Sequence, residues 1–369
     1  MKLKLKGDFC LLITTLVIVT FGILMVYSSS WYSALNDYGD KFYFMKKQIV
    51  GVAIGLVGLV IFSFIDYHKL QKFKYLSLIL SVVMLALVFV PFLSFENYGA
   101  KRWIKILGVT IQPSEFAKLG YALFIAGYVA KNPSRVKTFL GILPILLGGG
   151  VICLLIMLEP NMSITVCVGS LMLVMLFVSG AKLKHIILVL LPILVALPLL
   201  IILEPYRLNR LSAFLNPWAS PKGEGYQLLQ SLYALGSGGF FGVGFLKSRQ
   251  KFEFLPFAES DFIMSVIGEE FGFFGLILLF VAFGIIIYRG IVIGLKSKDM
   301  FGLLLSVGIV AIIGLQVIVN ALVVTGSIPP TGLPLPLISS GNTSLIVSLS
   351  SIGILFNISK NCEKKKVKE

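Results

Sequence analysis

Ten apolar segments, each close to the length that crosses a lipid bilayer, constrain this chain more than any other feature of its sequence. A transmembrane helix needs about 20 apolar residues. Hydrocarbon offers no partner for unpaired backbone groups, so such segments must be helices. The chain is 57% hydrophobic and 13% charged, whereas an ordinary soluble domain is roughly 25% charged. The sequence therefore predicts an all-α polytopic membrane protein. The segments lie at approximately 9–27, 47–65, 75–94, 113–130, 138–157, 161–179, 186–203, 262–288, 301–324 and 343–359.

The first apolar segment follows a basic N-terminus and so has some features of a secretory signal. Its apolar run is longer than a signal's usual apolar region, and no small-residue cleavage site follows it. We therefore interpret this segment as the first transmembrane helix. Residues 1–359 are predicted to form a single transmembrane domain, and residues 360–369 a basic cytoplasmic tail.

Lysine and arginine are distributed unevenly between two sets of loops. One set, which includes both ends of the chain, contains 19 basic and five acidic residues, and the rest of the chain contains 13 basic and 12 acidic residues. Cytoplasmic loops are enriched in Lys and Arg, so we expect both termini to be cytoplasmic. The long polar segment 204–261, between predicted helices seven and eight, is then extracellular. Topology accounts for the net charge of +15, and nucleic-acid binding is not needed to explain it.

Basic residues also cluster on the predicted outer face, where orientation alone would not place them. Contact with lipid phosphates is one explanation, and a surface that binds an anionic substrate is the other. Clustering in separate outer loops favours the second. The clusters are Lys101, Arg102 and Lys105, then Arg207 and Arg210, then Lys247, Arg249 and Lys251.

Asp261 closes the long polar segment at the predicted outer boundary of the membrane. Partial desolvation beside Phe262 and Ile263 would raise the pKa of its carboxyl group and suit it to act as a general base. Aspartate is also a good N-cap for the helix that follows. The sequence does not separate these two roles.

A short amphipathic helix is predicted within residues 223–239, a segment that includes Tyr226 and Gln227. We expect it to lie along the membrane surface and to end at its glycines. The glycines from Gly238 to Gly244 could also form a phosphate-binding loop. No strand precedes them, so a turn that ends the helix is the favoured interpretation.

Glu115 and Lys118 lie three residues apart on one face of the predicted fourth helix, which begins near Pro113. An ionisable pair this close to hydrocarbon must face the protein interior or a water-filled cavity. A purely structural ion pair and a functional pair both remain open. Glu269 and Glu270 lie within the predicted eighth helix, and at least one of them must face inward.

Taken in order, these motifs resemble the SEDS family of FtsW, RodA and SpoVE, which are polytopic cell-wall glycosyltransferases. The resemblance covers essentially the whole chain and is slightly closer to FtsW and SpoVE. The chain departs from the family pattern at Asn161, Phe257 and Asn342. The motifs are Ser28-Ser29-Ser30, GAKRWI, QPSEFAK, YRLNRLSAFLNPW, GYQLLQSLYALGSGG, SDFI with GEEFG, and PPTGLPLPLISSG.

The resemblance implies an inverting peptidoglycan glycosyltransferase that polymerises lipid II at the outer face of the bacterial cytoplasmic membrane. Its partner would be a class B penicillin-binding protein of the division, elongation or sporulation machinery. Asp261 would be the general base, with Glu115 and Lys118 as further catalytic residues. The substrate-binding residues would be Lys101, Arg102, Arg207, Arg210, Tyr226 and Gln227, whose cations would stabilise the diphosphate leaving group.

Three questions stay open at the level of sequence. No cofactor and no protein metal site is firmly predicted, although a divalent cation, Mg²⁺ or Mn²⁺, could assist the diphosphate. A lipid II flippase would use the same outer basic residues, because it handles the same head group. A non-catalytic scaffold for a penicillin-binding protein is the third alternative.

Overall fold

The fold is known from a computed structural model, which describes residues 7–97, 100–106, 109–202 and 205–362. Within these ranges the chain forms thirteen α-helices and one small sheet. The helices are α1 (Phe9–Tyr38), α2 (Tyr43–Phe64), α3 (Tyr67–Lys72), α4 (Lys74–Leu87), α5 (Pro113–Lys131), α6 (Phe139–Leu158), α7 (Met162–Val178), α8 (Leu183–Ile202), α9 (Pro205–Leu215), α10 (Tyr226–Gly238), α11 (Ile263–Leu295), α12 (Met300–Val324) and α13 (Asn342–Asn361). The strands are β1 (Ser94–Asn97), β2 (Ala100–Ile106) and β3 (Val109–Ile111).

Each apolar segment predicted from the sequence contains one of these helices. In the described part of the chain, six helices are long and apolar enough to cross a membrane: α1, α2, α6, α11, α12 and α13. Shorter apolar helices form α4, α7 and the first half of α8. The prediction of a mostly helical, multi-pass membrane protein is confirmed, and the count of ten spans and their orientation stay predictions.

A small antiparallel sheet at residues 94–111 adds a β element that the all-α prediction did not include. Its strand order is β1-β2-β3, with Phe95 opposite Trp103 and Ile104 opposite Ile111. Aromatic and β-branched residues favour strands. Outside hydrocarbon, a backbone can form its hydrogen bonds in a sheet as readily as in a helix. The sheet places Lys101 and Arg102 on its central strand, immediately before α5.

Helix α1 is too long to lie wholly within a bilayer. Its 30 residues span about 45 Å at 1.5 Å per residue, against roughly 30 Å of hydrocarbon. Its C-terminal end contacts the long polar segment. The rings of Trp31 and Tyr32 lie 5.8 and 5.0 Å from that of Phe252, and Asn36 Nδ2 donates to Glu253 Oε1 at 2.8 Å.

The long polar segment contains two helices, α9 and α10. The helix predicted within residues 223–239 is observed as α10, Tyr226–Gly238, and it packs against the bundle through buried Leu228 and Leu229. Ser231 Oγ lies 2.7 Å from Ser265 Oγ and donates to the Val324 carbonyl at 2.7 Å. This helix is therefore held to α11 and α12 by specific hydrogen bonds, and its predicted position along a membrane surface stays a prediction.

Candidate active site

Asp261 lies just before α11 and does not cap it. Helix α11 begins at Ile263, its N-cap residue is Phe262, and no side chain makes a capping hydrogen bond there. The N-cap interpretation of Asp261 is therefore wrong. Its carboxylate is left for a role other than the start of this helix.

The backbone around Asp261 is fixed by polar side chains of α12 and of the loop that follows it. Asn320 Nδ2, near the end of α12, donates to the carbonyls of Asp261 and Leu333, both at 2.8 Å. Ser339 Oγ donates to the Ser260 carbonyl at 2.6 Å. These bonds join the aspartate segment to the irregular chain between α12 and α13. That proline- and glycine-rich loop packs against the protein through buried Leu333, Leu335 and Leu337.

Gly332, in the same loop, lies directly beside the Asp261 carboxyl group. Its φ of +66° belongs to the left-handed region, and a Cβ added there would lie 3.3 Å from Asp261 Oδ2. Glycine adopts this conformation without the steric cost that other residues incur. The loop can therefore turn next to the carboxyl group without placing a side chain against it.

Burial raises the pKa of the half-buried Asp261 to about 6, and the positive charges of Arg102 and Arg210 act in the opposite direction. The pKa of Asp261 is raised, as predicted from its position next to the apolar residues that begin the following helix. At pH 7 the carboxyl group is mostly ionised, yet it is a stronger base than an ordinary aspartate. These are the properties that a general base needs.

Backbone carbonyls hold the two arginines whose charges reach Asp261. Arg102 donates from Nε to the Glu159 carbonyl at 3.1 Å and from Nη2 to the Pro160 carbonyl at 2.6 Å. Arg210, in α9, donates from Nη1 to the Pro330 carbonyl at 3.2 Å. These carbonyls help to orient the two guanidinium groups, whose positive charges act on the Asp261 carboxyl group.

The other predicted substrate-binding residues are less closely gathered. Lys101 is exposed on β2. Arg207 lies in α9, but its side chain falls outside the described part of the structure. Tyr226 and Gln227 are half-buried at the start of α10. In the part of the chain that the structure describes, no hydrogen bond joins them to Asp261. Their substrate-binding role stays a prediction.

The interpretation of Lys247, Arg249 and Lys251 as one anion-binding cluster is wrong for Lys251. Its side chain is fully buried, and its Nζ lies 2.9 Å from Glu270 Oε1. Lys247 and Arg249 remain exposed. Because Lys251 is paired inside the bundle, it is unavailable to an anionic substrate.

Glu115 and Lys118 form an ion pair in the protein interior. The distance from Lys118 Nζ to Glu115 Oε1 is 2.7 Å, and both side chains are almost completely buried. The predicted helix start at Pro113 and the inward-facing pair are both confirmed. In the described chain, no hydrogen bond or ion pair connects this pair directly to Asp261, so its catalytic role stays a prediction.

Glu159 is a buried carboxyl group that the sequence analysis did not single out. It follows α6, and in the described structure neither carboxyl oxygen has a hydrogen-bond partner. Burial raises its pKa to about 8, while the charge of Arg102 acts in the opposite direction. The sequence feature that could have identified Glu159 is the presence of an acidic residue in the tight Glu159-Pro160-Asn161 turn between two apolar segments.

Replacing Glu159 by glutamine is expected to stabilise the protein at alkaline pH. The folded state retains this proton up to about pH 8, whereas an ordinary glutamate releases it near 4.5. Stability is therefore lost as pH rises from about 4.5 to 8, by on the order of a few kcal/mol. Thermal unfolding of Glu159→Gln should show a higher Tm than the parent at pH 9 and a similar Tm at pH 5. The exposed Glu224→Gln is the control, and equal behaviour of the two variants would contradict the assignment.

The described residues do not form a ready-made metal site. Within the described ranges, no group of three or more His, Cys, Asp or Glu side chains is placed to hold a metal ion. A divalent cation that assists a diphosphate would have to take most of its ligands from the substrate and from water. Participation of Mg²⁺ or Mn²⁺ therefore stays a prediction.

The fold and site define a multi-pass membrane protein with a buried carboxylate and two arginines at one end of its helical bundle. The model of the cell cycle protein family FtsW/RodA/SpoVE matches residues 8–364. The chain is 38% identical to stage V sporulation protein E of Bacillus subtilis (strain 168), over 97% of this chain and 98% of that protein. It is 37% identical to a probable peptidoglycan glycosyltransferase FtsW of Geobacter sp. (strain M18), over 95% and 96%. The chain belongs to the FtsW/RodA/SpoVE family.

Solved structures agree with this assignment. A chain from a peptidoglycan synthase complex, studied for the coordination of polymerization and crosslinking, superimposes with a TM-score of 0.81 at 28% identity. The rod shape determining protein RodA of Thermus thermophilus superimposes with a TM-score of 0.73 at 26% identity. Both matches cover 98% of this chain and 99% of the other.

Proposed function

We propose that this protein is a peptidoglycan glycosyltransferase that polymerises lipid II into glycan strands, with Asp261 as its general base. The observation that carries the proposal is the Asp261 carboxyl group, which burial makes more basic and which lies within reach of the charges of Arg102 and Arg210. Family membership and a relative named as a peptidoglycan glycosyltransferase support it.

In the proposed reaction, the acceptor sugar's 4-hydroxyl attacks the anomeric carbon of the donor. The hydroxyl proton passes to the Asp261 carboxylate as the new C–O bond forms. The bond from the anomeric carbon to the lipid diphosphate breaks, and the diphosphate leaves with the bonding electron pair. Attack opposite the leaving group inverts the configuration at the anomeric carbon.

The two arginines act on the leaving group in this proposal. Negative charge grows on the diphosphate as its bond breaks, and fixed cations that require no rearrangement stabilise that charge most effectively. Arg102 and Arg210 meet this requirement because backbone carbonyls already hold them. A diphosphate leaves without being protonated, so one carboxylate suffices where a glycosidase needs two.

The cellular setting follows from the same relatives. A structural neighbour belongs to a peptidoglycan synthase complex, so we infer that this protein works with a class B penicillin-binding protein that crosslinks its product. Lipid II is used at the outer face of the bacterial cytoplasmic membrane, which would be this protein's location. Likeness to both sporulation and FtsW relatives leaves the choice among division, elongation and sporulation machinery open.

Purified protein in liposomes that contain lipid II tests the proposal directly. We expect glycan strands that a muramidase degrades, and more of them when the cognate penicillin-binding protein is added. Head-group translocation without polymer would instead identify a flippase. Absence of both activities, with or without the partner, would indicate a scaffold.

A further inference from the structure

A buried cluster joins the segment that leads to Asp261 with helices α1 and α11. Lys251 Nζ lies 2.9 Å from Glu270 Oε1, and both side chains have no exposed surface. Ser28 Oγ, in α1, donates to the two oxygens of Glu270 at 2.7 and 2.8 Å. The Glu270 carboxylate also accepts the Ser248 amide at 3.3 Å, so it binds two residues of the long polar segment and one of α1.

The Glu269 side chain binds two backbone amides and one hydroxyl group of the same segment. Its carboxylate accepts the Arg249 amide at 2.8 Å and the Gln250 amide at 3.4 Å, and it accepts a short hydrogen bond from Ser248 Oγ. Ser248, Lys251, Glu269, Glu270 and Ser28 are all buried. We call these five residues the anchor cluster.

At a break in α11, backbone groups of the helix form hydrogen bonds with the long polar segment. At Gly272, φ is +67°, which interrupts the helical ladder. The carbonyls of Glu269 and Glu270 would ordinarily accept the amides four residues later. Here they accept the Val243 amide at 2.9 Å and the Gly244 amide at 3.0 Å.

Two α11 amides that lose their helical partners at this break donate to carbonyls of the long polar segment. Phe273 N donates to the Gly239 carbonyl at 2.9 Å, and Phe274 N donates to the Phe240 carbonyl at 3.0 Å. The glycine-rich turn thus exchanges hydrogen bonds with α11. This confirms the turn and leaves the amides of Val243 and Gly244 committed to backbone carbonyls rather than to a phosphate.

The chain from Lys251 to Asp261 is therefore held at both ends. The anchor cluster holds its beginning. At its end, Ser340 N donates to the Glu259 carbonyl at 2.8 Å, and Asn320 holds the Asp261 carbonyl at 2.8 Å. The intervening residues Leu255 and Ala258 are buried, so a shift at the first end would move them and the aspartate together.

We propose that the anchor cluster positions Asp261, so that Lys251 and Glu270 are positioning residues for glycosyl transfer. This inference deepens the proposed function, because it takes Asp261 to be the general base. Through Ser28, the cluster also connects α1 to the segment that carries Asp261. An ion pair that is buried completely is a poor source of stability compared with apolar packing, which agrees with a role in fixing one geometry.

The pH dependence of activity distinguishes positioning from mere stability. The charged groups that act on Asp261 are Arg102 and Arg210, and the Asp261 charge in turn raises the pKa of the neighbouring Glu259. Burial, the largest influence, raises the Asp261 pKa to about 6. If the segment loosens, water reaches the carboxyl group and its pKa falls toward about 4. The acid limb of the activity profile should then move to lower pH.

The test compares the double variant Lys251→Met/Glu270→Gln with the parent. Neutralising both partners avoids an unpaired buried charge, which would strongly destabilise the protein. We expect lipid II polymerisation to have its acid midpoint near pH 6 in the parent, and at least one unit lower in the double variant. Its kcat should fall on the order of tenfold to a hundredfold because the base is misplaced, with KM little changed.

A control removes a different ion pair. Arg289 Nε donates to Asp8 Oδ2 at 2.8 Å, between α11 and the start of α1. The variant Asp8→Asn/Arg289→Gln should lose thermal stability but keep the acid midpoint of the parent. An unchanged midpoint in Lys251→Met/Glu270→Gln would overturn the positioning role.

Hydrogen exchange gives a second readout that does not depend on activity. The amides of residues 249–261 should exchange faster in Lys251→Met/Glu270→Gln than in the parent, and unchanged protection would contradict the anchoring. Asp261→Asn separates the two proposals. If Asp261→Asn remains active, the base assignment fails, while faster exchange would still support the anchoring. If Asp261→Asn is inactive and the midpoint does not move, the positioning role alone fails.

Discussion

Asp261→Asn is expected to abolish glycan polymerisation while the protein still folds and binds lipid II. Asparagine has nearly the same size and keeps the backbone carbonyl that Asn320 Nδ2 binds at 2.8 Å, but it cannot accept the hydroxyl proton. Loss of a general base lowers rates by about 10²–10⁴-fold. The measurement is polymer formation from lipid II, with binding of lipid II and the Tm recorded on the same samples.

Glu224→Gln is the matched control for this variant. Glu224 is exposed in the same long polar segment, and its replacement likewise removes one negative charge from that segment. Its activity should equal that of the parent. Undiminished polymerisation by Asp261→Asn would remove the catalytic assignment and would direct attention to Glu159, a buried carboxyl group on which the charge of Arg102 also acts.

Single replacements in the Glu115–Lys118 pair are expected to destabilise the protein and to reduce its activity severely. Removing one partner leaves an uncompensated buried charge, which costs about 3–5 kcal/mol. Both side chains are nearly inaccessible, so water cannot compensate. Thermal unfolding of Glu115→Leu and of Lys118→Met should therefore show a much lower Tm than the parent.

The double variant Glu115→Leu/Lys118→Met decides whether the pair is structural or functional. Replacing a buried ion pair by apolar residues of similar volume is often neutral or stabilising, so its Tm should return toward that of the parent. We expect polymerisation to remain lost, because ionisable residues kept at membrane depth mark functional sites. Recovery of activity together with stability would show that the pair serves folding alone.

The helices were predictable from the sequence because the physics that forms them is local. An apolar run of bilayer length has only one way to satisfy its backbone, so every predicted segment contains a helix. The same contrast made Asp261, Glu115 and Lys118 conspicuous, since ionisable residues beside apolar runs are rare. The sheet at 94–111 escaped prediction because a polar stretch in water can satisfy its backbone in either structure.

Only the tertiary structure distinguished residues of the same chemical type. Arg102 and Lys251 are both basic residues of predicted outer loops. Yet Arg102 lies near Asp261, whereas Lys251 is buried against Glu270 and Ser28. Ser28 is 223 residues away along the chain from Lys251, and no local pattern encodes such a partner.

The positions of the helices and the candidate carboxylates Asp261 and Glu115 were predictable from the sequence, whereas Glu159 was not singled out. The tertiary structure decided the state of those carboxylates, because a pKa depends on the groups that folding brings together. Asp261 is desolvated by its own segment and the loop after α12, and it feels arginines from β2 and α9. Those elements are distant in the sequence, and their meeting is a property of packing alone.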